Sequence, residues 1–285
     1  MLKTQVTGSG VPVAVGRMRW LAVLGIVLTA VTYLLSTFTM LGQAVVDEAW
    51  LTRVSEGRGW LRASRLLLEF IDVGTVTGVV ITLLVVTAVR GNWRIGAALG
   101  IGLFGATASA ELLKVVLPRP DLAPRLEAMM GEHAANSFPS GHVTIVTASV
   151  VAALVLLPAA HRLPLTLLGA VLVATVSCAV VAAGWHRPSD ALGGLGWGLA
   201  WQALIAAVLV KTFGNDRHVR THARWLWPAS VSVVLVGAVA LLATLVKVQG
   251  WQWPFALAEM VLATTALLVI TTTGWILRNM SVEVR

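Results

Sequence analysis

Long apolar runs recur along almost the whole chain and decide the fold class before any motif is considered. About 20 consecutive apolar residues cross the hydrocarbon core of a bilayer as one helix. Eight such stretches can be read, near residues 20–40, 66–89, 95–117, 143–157, 165–185, 191–210, 225–246 and 255–277. Hydrophobic residues make up 57% of the chain, charged ones 12%, and mean hydropathy is +0.84. A soluble domain of 285 residues has no interior large enough for that much apolar surface. The fourth stretch is short for a full span, so Gly141 and His142 extend it or neighbours shield it. Tryptophans at 20, 93, 185, 225, 251 and 275 lie near the expected ends, where interfacial anchors belong. The expected fold is an all-α integral membrane protein: a six-helix core bundle plus two further C-terminal transmembrane helices.

Lys3, Arg17 and Arg19 precede the first run as in a signal peptide. That run is long for a signal sequence and no small-residue cleavage site follows, so an uncleaved first span is expected. The single cysteine, Cys178, excludes an internal disulfide. Three segments follow: a cytoplasmic N-terminal segment (1–19), the transmembrane core (20–212), and a basic cytoplasmic loop with the last two helices (213–285).

Basic residues in short loops set orientation. With both termini inside, the inner loops carry Arg90, Arg94, Arg162, Lys211, Arg217, Arg220 and Arg224. The outer loop after the first span mixes its arginines with Asp47, Glu48 and Glu56. The net charge of +8 follows largely from the inner bias. Nothing resembles a nucleic-acid-binding stripe, and no room remains for a soluble domain. The expected location is the plasma membrane.

Three short polar clusters interrupt the apolar chain, all on the outer face in this topology. The first runs from Lys114 through Arg119 to Pro120; the second is Asn136-Ser-Phe-Pro139-Ser140-Gly141-His142; the third is Gly184-Trp-His186-Arg187-Pro188-Ser-Asp190. Each has a bland reading beside a chemical one. Lys114 either snorkels and pairs with Glu111 one turn back, or grips an anion. Arg119 is either a solvated loop residue or a planar fork for phosphate oxygens. Pro139 suits a first helical turn, and Ser140 and Gly141 let an anion approach free N–H groups; otherwise Ser140 is simply a cap. His142 is either an interfacial histidine or a proton donor to a leaving oxygen. If Pro188 opens a helix, Asp190 falls in its first turn, where it either caps the helix or holds one nitrogen of His186 and leaves the other nucleophilic. All three clusters together, on one face and in this order, are harder to explain as capping and snorkelling alone.

In that order and composition the clusters resemble the motifs of the type-2 phosphatidic acid phosphatase superfamily, the membrane lipid phosphatases related to vanadium haloperoxidases. The likeness covers roughly residues 66–212. It implies a six-helix core in which His186 attacks phosphorus to give a phosphohistidine, Asp190 orients it, and His142 is the general acid. It further implies that Lys114, Arg119, Ser140 and Gly141 hold the phosphoryl oxygens. Two positions depart from the family pattern. Four residues, not six, separate Lys114 from Arg119, which puts Asp121 at the usual arginine position. Ala179-Val180 stands where the family has Ser-Arg, and Arg187 is the obvious substitute for the missing cation.

The resulting expectation is hydrolysis of a lipid phosphate or a polyprenyl (pyro)phosphate. The alternatives are a lipid phosphotransferase using the same intermediate, and a non-catalytic transporter or scaffold. A metal site built from His142, His186 and Asp190 is set aside, because Lys114, Arg119 and Arg187 would repel a cation. No cofactor is expected; the partners are the bilayer and the lipid phosphate.

Overall fold

The computed structural model describes residues 10–53, 58–124, 128–129, 135–213 and 253–277. Among these residues there are nine helices and no strand. They are α1 (Gly10–Phe38), α2 (Met40–Thr52), α3 (Arg58–Glu69), α4 (Val73–Val89), α5 (Trp93–Val116), α6 (Gly141–Leu156), α7 (Ala159–Ala182), α8 (Pro188–Phe213) and α9 (Trp253–Leu277).

Five of them, α1, α5, α7, α8 and α9, are long and apolar enough to cross a membrane. The protein is a multi-pass membrane protein. The expected second span is instead a pair, α3 and α4, bent by 51° at a short break; counted as one span, it makes six. The fourth is α6, 16 residues long and largely buried by its neighbours. The seventh, near 225–246, lies outside the described residues. The count among described residues is therefore five or six, against the eight read from the sequence.

α1 begins at Gly10, well before Trp20; its Pro12 falls in the first turn, where proline is tolerated, and the helix runs on through Gly16. Its 29 residues measure about 43 Å at 1.5 Å per residue, longer than a bilayer core. It stops at Thr39, whose hydroxyl donates to Leu35 O (2.6 Å) and accepts from Gly42 N–H (2.9 Å). Thr39 thereby caps α2, a helix where the sequence reading placed a loop.

Close helix crossings in lipid rest on small residues rather than on hydrophobic attraction. α8 supplies them on two faces. A Cβ on Gly196 would come within 2.6 Å of Gly25 O, so α1 lies directly on α8. On another face, a Cβ on Gly194 would meet Ser140 O at 2.5 Å, and one on Gly198 would meet Thr144 O at 2.6 Å. Thr144 Oγ1 uses that proximity to donate to Gly194 O (3.3 Å). The first turns of α6 and α8 are thus brought side by side.

The last helix is not peripheral. α9 packs on α7 and α2, and its Phe255, Leu262 and Ile270 are buried in the same apolar core as Val151, Leu154, Val173 and Leu195. At the bundle end away from the polar clusters, Arg90 Nη1 donates to Leu156 O (3.3 Å). Arg162, also buried, donates to Leu157 O (2.9 Å) and to Leu277 O.

Candidate phosphoryl-transfer site

Every cluster is delivered by a helix end, and local sequence shapes each end. α7 closes in a Schellman motif: Gly184 takes φ +79°, its N–H donates to Val181 O (2.9 Å), and Trp185 N–H donates to Val180 O (3.0 Å). His186 N–H bonds the same carbonyl (3.1 Å). Glycine suits the positive φ at no steric cost. The turn leaves His186 just ahead of α8, whose first helical residue is Pro188. Val180 itself is fully buried in the core, so its position contributes a main-chain acceptor to this turn and no side chain to a site.

Asp190 occupies the third position of α8. Its Oδ2 accepts from Arg187 N–H (2.9 Å), the carboxylate half of a capping box. The same oxygen accepts from Ser137 Oγ (2.5 Å), while Ser189 Oγ donates to Oδ1 (3.3 Å). The main-chain oxygen of Asp190 accepts from Ser140 N–H (2.8 Å). Asp190 therefore ties the second cluster to the third while capping its own helix. His186 Nδ1 lies 3.5 Å from Asp190 Oδ2, close enough for an ion pair and too far for a good hydrogen bond. That nitrogen is buried and has no hydrogen-bond partner.

α6 starts at Gly141 with Ser140 as its N-cap residue. The Ser140 side chain makes no capping bond, and its hydroxyl is buried without a partner. The bland capping role is thus not what this side chain performs. Pro139 precedes the cap rather than opening the first turn, and its peptide bond to Phe138 is cis. A Cβ on Gly141 would lie 2.9 Å from Glu111 Oε1 and 3.7 Å from Lys114 Nζ, so the Lys114–Glu111 pair (2.6 Å) sits against the helix start. Asn136 fastens the first cluster to the second, its amide donating to Leu117 O (2.9 Å) and Lys114 O (3.3 Å). His142 is half-buried, with its ring 5.2 Å from that of Trp185.

Arg119 and Arg187 are not two open hands. Both close on Asp47 of α2: Arg187 Nε at 2.6 Å from Oδ1, and Arg119 Nη2 at 3.0 and 3.2 Å from the two carboxylate oxygens. Arg187 Nη1 also donates to Ala135 O (3.2 Å). Arg187 is 2% exposed and Asp47 wholly buried. Arg187, the substitute cation named from the sequence, is thus tied to α2 and to the segment before the second cluster.

Sequence reasoning missed α2 entirely as a contributor. Its Gln43 accepts from Leu122 N–H (3.0 Å) and donates to Pro120 O, holding the Arg-Pro segment. Trp50 Nε1 donates to Gly184 O (3.1 Å). Arg53 stacks 3.4 Å over the Trp50 ring, and its guanidinium lies against Gly184. Burial, with a smaller contribution from Arg65, lowers the Arg53 pKa to about 10, so it stays charged at neutral pH. Ser137 was also overlooked, although it stands within the second cluster.

The ensemble can hold an oxyanion. The start of α6 lies beside Lys114, which pairs with Glu111, and its buried Ser140 hydroxyl lacks a protein partner; Arg119 and Arg187, paired with Asp47, and Arg53 add positive charge near the start of α8. Helix N-termini and such donors favour a negatively charged group. No curated protein and no solved structure was matched by the chain. Residues 91–214, from the start of α5 to the end of α8, match the family model of the PAP2 superfamily.

Proposed function

We propose that the protein is a membrane lipid phosphatase that hydrolyses a lipid phosphate or polyprenyl (pyro)phosphate through a phosphohistidine on His186. The observation that carries this reading is the meeting of His186 and Asp190 with the uncapped start of α6, where the Ser140 hydroxyl has no partner. PAP2 superfamily members are generally phosphatases, and a multi-pass protein presents such a site to a substrate whose tail lies in the bilayer.

In the proposed reaction Lys114, Ser140 and the first N–H groups of α6 hold the phosphoryl oxygens. Arg119 and Arg187 add positive charge from behind the His186 turn. Asp190 holds Nδ1–H of His186, which leaves Nε2 to attack phosphorus. The bond between phosphorus and the leaving oxygen breaks as the N–P bond forms, and His142 gives that oxygen a proton. Water then attacks the phosphohistidine, His142 takes a proton from it, the N–P bond breaks, and phosphate leaves. Donors fixed where charge develops contribute most in such transfers.

The purified protein, in detergent or reconstituted, should release inorganic phosphate from at least one of phosphatidic acid, a polyprenyl phosphate and a polyprenyl pyrophosphate. Absence of release from all three would refute the reading; transfer to an added lipid alcohol instead of water would convert it to a phosphotransferase. The site is proposed to face outward. In a Cys178→Ser background on intact cells, an impermeant thiol reagent should label Asp121→Cys and spare Arg94→Cys, and the reverse pattern inverts the topology.

A further inference from the structure

Among the described residues, Asp47 is the most buried charged side chain outside the three clusters. It lies on α2, beyond the stretch matched by the family model, and is fully buried. Two guanidinium groups close on it, one from the segment after α5 and one from the turn before α8. Its neighbours on the same helical face serve the same two segments: Gln43, four residues back, bonds Pro120 and Leu122, and Trp50, three residues on, bonds Gly184. One face of α2 thus binds the first and third clusters to each other.

A carboxylate between two guanidiniums has two effects. It fixes both planar forks, because each donates along a preferred direction. It also leaves the trio with one net positive charge rather than two. Arg187 is the residue after His186, and its main-chain N–H is bonded to Asp190. Whatever fixes the Arg187 side chain therefore fixes the turn that presents the imidazole. We propose that Asp47 is a positioning residue of the phosphoryl-transfer site, aligning His186 and the cationic wall through Arg119 and Arg187 with α2 as the platform. The inference rests on the phosphatase reading above.

The competing account is a buried ion pair with no part in the reaction. Two variants of the full chain separate them. Asp47→Asn keeps the shape and removes the charge; Asp47→Glu keeps the charge and moves it by one methylene. Turnover per folded molecule is measured with phosphatidic acid and the polyprenyl phosphates, together with inhibition by orthovanadate, which adopts the five-coordinate geometry of phosphoryl transfer. Losing the alignment of the turn that presents His186 and of the two cations beside it should lower kcat of Asp47→Asn by about 100-fold or more. KM should change little, and orthovanadate should weaken in step with kcat/KM, as a group aligned for the transition state requires. Asp47→Glu should fold, melt close to the wild type, and turn over at an intermediate rate. If Asp47→Asn does not fold, the rate of Asp47→Glu decides: a fall supports the inference and an unchanged kcat overturns it. Wild-type kcat in both variants, with only a lower melting temperature, overturns it while leaving the phosphatase reading intact. A wild-type protein that neither releases phosphate nor binds orthovanadate defeats that reading, and the inference falls with it.

Discussion

The two ends of the bundle treat buried charge in opposite ways. At the far end Arg162, 3% exposed, meets the last carbonyls of α6 and α9, where helix ends favour a cation. It joins three helices and has the marks of a structural clamp. At the site end Asp47, Arg119, Arg187, His186 and Asp190 are buried together, yet His186 Nδ1 and the Ser140 hydroxyl have no hydrogen-bond partner. Buried polar atoms ordinarily find partners, and each orphan costs about 1–3 kcal/mol. His186 Nδ1 faces the Asp190 carboxylate at 3.5 Å, whereas the Ser140 hydroxyl stands at the start of α6 near Lys114, where a bound oxyanion would satisfy it.

Four substitutions test that contrast, in descending order of their effect on turnover. His186→Ala removes the imidazole whose Nε2 attacks phosphorus in the proposed reaction. It should cut turnover by about 10⁴-fold or more while the protein stays folded, as loss of a covalent nucleophile does. Substantial residual phosphate release would show that the site end is not organised around His186. Asp190→Asn should lower kcat by about 10²–10⁴-fold through a misheld imidazole. It should also lower the melting temperature, because Asp190 accepts from Ser137 and Arg187 as well. A purely structural Asp190 would show the second effect without the first.

Ser140→Ala separates function from stability most sharply. Removing an unpartnered buried hydroxyl should stabilise the protein by about 1 kcal/mol. Removing a phosphoryl-oxygen donor should at the same time cost about 10–100-fold in kcat/KM. A variant both less stable and fully active would place Ser140 with the structural groups. At the far end, Arg162→Met should cost about 3 kcal/mol of stability, since the carbonyls lose charge-assisted bonds. Its kcat per folded molecule should equal the wild type, and a large kcat effect would erase the distinction between the ends. Calorimetry or a thermal-shift assay, read beside phosphate release, checks all four.

What the sequence discloses follows from how local each feature is. The three clusters were readable because their residues sit within a few positions of one another. The Lys114–Glu111 pair and the place of Asp190 in the first turn of α8 follow from helical spacing alone. The apolar runs foretold most of the spans; the break between α3 and α4 was marked in the sequence by Glu69 and by Asp72, which caps α4, but these lie inside a run read as one span. Asp47 was invisible for another reason. Its neighbours in sequence are apolar or acidic, its partners lie 72 and 140 residues away, and only packing reveals them. The same holds for the missing arginine. The sequence showed the gap at Val180 and named Arg187, but not that Arg187 is buried against Asp47 rather than open to a ligand.

The central claim is a covalent phosphoryl group on His186, and trapping it tests that claim most directly. The protein is quenched with base during turnover of a ³²P-labelled lipid phosphate, digested, and the labelled peptide mapped. The account predicts a label that is stable to base, labile to acid, located at His186 and absent from His186→Ala. Turnover with no label under rapid quench, or a label at another residue, would contradict it.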